Sequence, residues 1–110
     1  MEKANVFLGS NKLIAEFIGT LKSPNKKTIW FKNYNPILNK KIVFINQLKY
    51  HESWDWLMPV VEKCLMGEAE HEKKGNELVN NIYEALTNIS IIETYKAVIE
   101  FIKWYNNENR

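Results

Sequence analysis

Three apolar stripes with the spacing of α-helices fill the C-terminal half of the chain and leave little sequence there for strands. The first begins after Ser53, a residue type that caps helices. The second recurs on one helix face between Leu78 and Leu86. The third starts at a capping box, in which Ser90 and Glu93 satisfy free N–H groups of the first turn. The C-terminal half is therefore predicted to be mainly helical.

The N-terminal half combines one short helix with β-rich sequence. Ser10 or Asn11 can cap a helix that ends at Gly19. Residues 28–34 and 42–45 are rich in β-branched and aromatic side chains and are predicted to pair as strands, while the remaining sequence before the second strand is predicted as loop. We therefore predict an α+β fold, with a small antiparallel sheet of about two strands and about four helices.

The composition indicates one soluble globular domain that spans residues 1–110. Apolar residues make up 45% of the chain, which is enough for a modest core. The only cysteine, Cys64, allows no internal disulfide, as is typical of a reducing compartment. No apolar run is long enough for a secretion signal or a membrane span. We expect a cytoplasmic protein without a membrane association.

The lysines are distributed unevenly along the chain. Between Phe17 and His51 there are seven lysines and no acidic residue, although the net charge of the chain is only +2. Trp30, Tyr34 and Phe44 are interleaved with these lysines. Because positive charge attracts phosphate and rings stack on bases, the pattern suits an anionic, nucleotide-like ligand. The alternative is a lysine-rich loop and edge strand that are kept soluble and unpaired.

Arginine is nearly missing from the basic residues. Fourteen of the fifteen are lysines, and the only arginine is Arg110. Bidentate recognition of guanine or phosphate depends on the fork of an arginine side chain. The sequence therefore argues against sequence-specific DNA binding.

Residues 50–56 form the densest cluster of polar and aromatic side chains. They open a helix, and the free N–H groups of a helix start attract anions. In that helix Trp56 lies about 120° from the centre of the apolar stripe, which leaves its ring either for a ligand or for another part of the core. The candidate ligand-binding residues are Trp56, His51, Trp30, Lys32, Tyr34 and Lys49.

A second tryptophan also lies away from the apolar stripe of its helix. Trp104 is about 160° from the centre of the stripe in the last helix, and Ala97 and Phe101 extend an apolar strip beside it. Another layer of the chain, a second copy or a partner must cover such a strip. We predict Ala97, Phe101 and Trp104 as an interface and expect a homo-oligomer.

Few residues could carry catalysis. His51, Ser53 and Asp55 are close in sequence at a helix start, which is poor geometry for a catalytic triad. Cys64 falls on an apolar face and is predicted to be a small core residue rather than a nucleophile. We predict no catalytic residues and no cofactor. A less favoured alternative is a phosphodiesterase that uses His51 or His71, and a weaker one is a non-specific nucleic-acid binder with a steep salt dependence.

A weak metal-binding pattern follows the predicted second helix. Glu68, His71 and Glu72 would share one face if this segment were helical, and they could then hold a divalent metal. A single Glu-x-x-His unit is more often a solvated acidic face. No metal site is therefore predicted.

Two longer motifs resemble small phage and prophage accessory proteins. They are residues 50–63 (YHESWDWLMPVVEK) and residues 95–106 (YKAVIEFIKWYN), while residues 11–19 (NKLIAEFIG) resemble the opening helix of the same group. The layout is also similar to that of the phage α-β-α sandwich domain. The group usually has strand-like sequence where this chain has residues 68–81, whose own pattern is charged and helical.

The resemblance implies an accessory protein that acts in the host cytoplasm, and small phage proteins often act against host defence. Some of them sequester nucleotide immune signals in pockets between subunits. We therefore expect a protein that binds an anionic, nucleotide-derived signal without catalysis. The alternative is an inhibitor that binds a host defence protein through the strip of Phe101 and Trp104.

Overall fold

The computed structural model describes residues 7–35, 40–66 and 73–108, with side chains at residues 7–32, 41–66 and 73–107. The N-terminal half has one helix followed by three strands, and the described part of the C-terminal half is helical, which confirms the predicted α+β class. In chain order the elements are α1 (Leu8–Ile18), β1 (Thr20–Leu21), β2 (Thr28–Asn35), β3 (Lys40–Phe44), a 3-10 turn (Ile45–Gln47), α2 (Trp54–Leu65), α3 (Lys73–Thr87) and α4 (Ile91–Glu108).

The sheet has three antiparallel strands in the order β1-β2-β3, rather than the predicted two. The predicted pairing of β2 with β3 is confirmed, with Trp30 opposite Ile42. The additional strand β1 pairs Leu21 with Trp30. Sequence inspection missed β1 because two residues are too short to show an alternating pattern.

One face of the sheet contributes to the core. Ile29, Phe31 and Val43 are buried there, and α1 contacts both β1 and β2 on that side. Residues directly opposite each other in a sheet share a face, so Trp30 and its partners Leu21 and Ile42 all lie on the opposite, outer face. The sheet is therefore buried on one face only.

The last helix, α4, is the centre of the helical layer. It contacts α1, α2 and α3, and its start is the predicted one, because the N–H of Glu93 donates to Oγ of Ser90 at 3.2 Å. A helix with neighbours on several sides buries more than one stripe. Phe101 is accordingly only 2% exposed and packs against the rings of Phe17, Trp104 and Tyr105.

This packing corrects the predicted interface strip. Phe101 is a core residue rather than an exposed one, while Ala97 and Trp104 are half-buried against the same core. The chain itself covers Phe101, which meets the ring of Phe17 on α1. The expectation of a homo-oligomer loses the exposed strip on which it was based, and it stays a prediction.

Trp56 requires a similar correction. Helix α2 follows Ser53 as predicted, but its buried face extends to Trp56 and Val60. Trp56 is 6% exposed, and its ring meets that of Tyr50 edge-on at 5.2 Å. Since α2 contacts α1, α3 and α4, its neighbours cover a wider arc than a single stripe. Trp56 therefore offers no free ring face to a ligand.

Helix α1 begins earlier than predicted. Phe7 is its N-cap residue, so Asn11 lies inside the helix and is buried rather than capping it. Gly19 follows the helix as predicted, at a φ of 125° that side chains other than glycine rarely adopt. The side chain of Asn11 is not available as a cap because it forms hydrogen bonds with Leu48 and Tyr95, which are far away in the sequence.

Some predictions lie outside the described residues. The side chain of Tyr34 is one of them, and so is the segment with Glu68, His71 and Glu72. The nearby helix α3 has the helical structure indicated by its own sequence rather than the strand implied by the resemblance. Among the described helices, none is long and apolar enough to cross a membrane.

Candidate ligand-binding site

The predicted ligand-binding residues are divided between separate places. Side chains alternate between the two faces along a strand, and Ile29 and Phe31 are buried in the core. Trp30 and Lys32 therefore lie on the outer face of the sheet. Lys49 and His51 lie in a different cleft, beside the start of α1. With Trp56 in the core, the structure does not bring the predicted set together.

Trp30 occupies the middle of the open sheet face. Leu21 is opposite it on β1 and Ile42 on β3, and each of these two side chains is 52% exposed. The register places Phe44 opposite Thr28, so Phe44 shares this face and is 58% exposed. An aromatic and aliphatic surface with polar edges is typical of a binding surface.

The loop between β1 and β2 is held in shape by Asn25. Its Oδ1 accepts hydrogen bonds from the backbone N–H of Lys27 at 2.8 Å and that of Thr28 at 3.1 Å. The hydroxyls of Ser23 and Thr28 are 2.7 Å apart. An asparagine that bonds the backbone two residues further on stabilises a tight turn. The loop therefore presents its lysines from a defined backbone.

A cleft of about 480 Å³ lies between α1, β1 and this loop. Its size is within the range of small-molecule sites. Trp30 supplies the aromatic surface, and Glu16 is the one carboxylate among its lining residues. Three lysines surround the opening: Lys12, Lys22 and Lys26. The balance of charge in the cleft therefore favours an anion.

Lys32 extends the basic edge of this surface. Its backbone N–H donates to the carbonyl of Gly19 at 3.3 Å, which ties β2 to the end of α1. Its side chain is exposed on the same face as that of Trp30. Lys32 and Trp30 are thus two predicted site residues that share the outer face of the sheet.

His51 is fixed by its neighbours. Its ring stacks on Phe7 with centroids 4.2 Å apart, and its Nδ1 lies 3.1 Å from Nδ2 of Asn11. The orientation of that amide is set because Nδ2 also donates to the carbonyl of Leu48 at 3.2 Å, while Oδ1 accepts from the hydroxyl of Tyr95 at 2.9 Å. Nδ1 of His51 is therefore an acceptor, and the neutral ring carries its proton on Nε2.

The cleft beside His51 has a volume of about 380 Å³ and contains both signs of charge. Nζ of Lys49 lies 3.3 Å from Oε2 of Glu52, and Nε2 of His51 lies 3.9 Å from Oε1 of the same carboxylate. A phosphate here would be repelled by Glu52 and would compete with it for Lys49. This cleft suits an anion less well than the surface around Trp30.

The described residues provide little for catalysis. They contain no cluster of three or more histidine, cysteine or acidic side chains that could hold a metal ion. Burial raises the pKa of the Cys64 thiol to about 12, an effect that the charge of Lys63 partly opposes. A thiol with such a raised pKa is a poor nucleophile.

Sequence reasoning missed the exposed partners of Trp30. Residues 42–45 were predicted as a continuously apolar strand, whereas Ile42 and Phe44 point outward and Val43 points into the core. Strict alternation would have predicted this, but all the side chains in the segment are apolar. Only the burial of Val43 beside Ile29 identifies the inner face.

Comparison of the chain with protein-family models, with curated proteins and with solved structures found no match. The fold and the surface define the chain as a small α+β protein whose sheet is open on one face.

Proposed function

We propose that the protein binds an anionic, nucleotide-derived ligand on the outer face of its sheet and does not transform it. The observation that carries the proposal is the position of Trp30, a half-buried residue that faces Leu21 and Ile42 across the sheet and also lines the cleft that contains lysines. Trp30 would stack on a base, and Lys22 and Lys26 would bind phosphate.

The absence of catalysis in this proposal rests on the state of the reactive side chains. His51 has its Nδ1 occupied by Asn11 and carries a proton on Nε2, so it is a hydrogen-bond donor rather than a general base. Cys64 is buried. Neither residue lines the cleft beside Trp30.

The biological part of the proposal depends on the resemblance to phage accessory proteins. In that setting the ligand would be a host immune signal, such as a cyclic dinucleotide or an ADP-ribose derivative, and binding would sequester it in the host cytoplasm. A homo-oligomer would place the sites of several copies together. The competing proposal, a protein inhibitor that uses the Phe101 and Trp104 strip, is weakened because Phe101 is buried.

The first test is a thermal-melting screen of the protein against nucleotides, cyclic dinucleotides and ADP-ribose derivatives, followed by mass spectrometry of each mixture. A ligand at 100 times its Kd adds about 2.7 kcal/mol of stability, which is a visible shift in Tm. Recovery of the ligand intact supports binding without turnover. Recovery of a cleaved product contradicts it.

Two matched pairs of variants then test the location of the site. Trp30→Ala should weaken binding on the order of tenfold, whereas Tyr83→Ala, an exposed ring on α3, should leave the Kd unchanged. Lys26→Glu should weaken binding, while Lys103→Glu makes the same charge change on the exposed surface of α4 and should not. Equal effects within either pair would exclude this site.

A further inference from the structure

The outer sheet face holds two separate aromatic rings on neighbouring strands. Trp30 is opposite Ile42, and Phe44 lies two residues beyond Ile42 on β3. Diagonal neighbours in an antiparallel sheet are about 7–8 Å apart, which is enough to receive two different bases. Phe44 is 58% exposed and Trp30 is half-buried, and neither ring is paired with another aromatic ring among the described residues.

Positive charge continues from Trp30 toward Phe44. Lys22 and Lys26 line the cleft beside Trp30. The carbonyl of Lys27 accepts a hydrogen bond from the N–H of Ile45 at 2.7 Å, which fixes the exposed Lys27 next to the end of β3. Exposed lysines therefore lie in the β1–β2 loop, beside the strands that carry the two rings.

We propose that this face binds single-stranded nucleic acid, with successive bases stacked on Trp30 and Phe44 and the backbone phosphates bound by the surrounding lysines. The proposal rests on the proposed function, because both use Trp30, and it identifies the ligand class as an oligonucleotide. The lysines that would bind phosphate are Lys22, Lys26, Lys27 and Lys32. Stacking on rings and charge on lysines are together the features of sequence-tolerant single-strand binding.

The chemistry of the face favours a single strand over other occupants. A duplex hides the faces of its bases inside the stack, so the rings could not reach them. A second copy of the chain, packed face to face, would bring lysines against lysines and is disfavoured by charge. Because no arginine occurs before Arg110, guanine cannot be read by an arginine fork, and we expect little sequence preference.

The test measures fluorescence anisotropy of labelled dT10, rU10 and a ten-base-pair duplex, and compares their Kd values with that of a mononucleotide. We expect both single strands to bind at least tenfold more tightly than the mononucleotide and the duplex. Contact with three to four phosphates predicts a loss of affinity of roughly 20- to 50-fold between 50 and 200 mM salt.

The decisive variant is Phe44→Ala. It should weaken dT10 binding roughly five- to tenfold and leave mononucleotide binding unchanged, whereas Trp30→Ala should weaken both. Tyr83→Ala is the matched control, because its ring is also about half exposed but lies on α3. Far-UV circular dichroism and melting curves check that each variant is folded.

The outcomes separate this inference from the proposed function. If the mononucleotide binds in a Trp30-dependent manner but dT10 binds no more tightly, the proposed function holds and the single-strand inference is wrong. If none of these probes binds and the melting screen also finds no ligand, both are wrong; if only the screen finds a ligand, the proposed function holds and the single-strand inference is wrong. If size-exclusion chromatography gives a dimer that Phe44→Ala dissociates, and no strand binds, the face is a self-interface and this inference is overturned.

Discussion

Trp56 and Trp30 were both predicted as ligand-binding rings, and the structure gives them opposite environments. Trp56 lies on a helix with neighbours on several sides and is 6% exposed. Trp30 lies on the outer face of the sheet, is half-buried and is one of the residues that line an open cleft. On the helices Trp56, Tyr95 and Phe101 are buried while Tyr83 is 51% exposed, and on the sheet Phe31 is buried while Trp30 is half-buried and Phe44 is 58% exposed.

The difference follows from how the two kinds of element bury apolar surface. A helix is a cylinder, so each added neighbour covers a further arc, and residues off the main stripe become part of the core. A sheet has two faces, and a ring on the uncovered face stays exposed unless another layer is added. An aromatic side chain that is off-pattern on a helix is therefore weaker evidence for a site than one on a one-sided sheet.

The largest expected effect contrasts the two tryptophans directly. Trp56→Ala should lower the free energy of unfolding by about 3–5 kcal/mol, because it leaves a cavity in the core. Trp30→Ala should cost about 1 kcal/mol or less, since the ring is only half-buried. Urea unfolding followed by far-UV circular dichroism measures both. Similar losses for the two variants would show that the sheet face is covered after all.

A second contrast uses two asparagines. Asn11→Ala should lower the free energy of unfolding by roughly 2–4 kcal/mol, because it removes the buried amide that accepts from the hydroxyl of Tyr95 and donates to the carbonyl of Leu48. Asn25→Ala removes bonds in an exposed loop, where water replaces them, and should cost about 1 kcal/mol or less. Asn25→Ala should nevertheless weaken ligand binding if the loop positions its lysines. If Asn25→Ala leaves the Kd of the ligand unchanged, Asn25 does not position the lysines of the loop for binding.

The third prediction concerns alkaline pH. Burial raises the pKa of Tyr95 from 10.0 to about 12, an effect that a hydrogen bond with Ser10 partly opposes. The unfolded chain ionises this tyrosine at lower pH than the folded protein, so the stability is complete below pH 10.0 and is lost as pH rises toward about 12. The loss at pH 11 should be about 1 kcal/mol.

Tyr95→Phe is the control for this pH dependence. The variant is less stable at neutral pH, because Oδ1 of Asn11 loses its donor. Its free energy of unfolding should nevertheless fall less steeply between pH 9 and pH 11 than that of the parent protein. Equal slopes in urea titrations at the two pH values would contradict a buried, neutral Tyr95.

The smallest effect is expected at the turn between α3 and α4. Ile89 has a φ of 54° and is 79% exposed, a left-handed conformation that is costly for a β-branched residue. Ile89→Gly should raise the free energy of unfolding by about 0.5–1 kcal/mol. Ile89→Val keeps the branched side chain and should give no gain. If Ile89→Gly instead lowers the free energy of unfolding, the isoleucine side chain stabilises the fold by more than its left-handed conformation costs.

The sequence predicted where most helices and strands lie, but it did not predict which parts of the chain pack against them. The starts of α2 and α4 were predicted from Ser53 and from the Ser90–Glu93 box, since these signals are local. The end of α1 at Gly19 was predicted for the same reason. Asn11 was misjudged as a cap, because its hydrogen bonds are to Leu48 and Tyr95, which are distant in the chain.

The candidate site was predicted only in part. Trp30 and Lys32 share a surface, as alternation along one strand requires. His51 and Lys49 lie in another cleft, because the 3-10 turn and the segment after it pack beside α1 rather than on the sheet face. Phe44 was not predicted as a site residue, since an all-apolar strand does not reveal which of its faces is buried.

By itself the sequence determined the α+β class, the helix starts, the pairing of β2 with β3 and the concentration of lysines in the sheet region, because these depend on local periodicity, capping residues and composition. The tertiary structure alone decided which aromatic rings remain accessible. Exposure depends on how many neighbours an element has, and those neighbours come from parts of the chain that are far apart in sequence. Trp56 on α2 is therefore part of the core, whereas Trp54 on the same helix and Trp30 on β2 are half-buried.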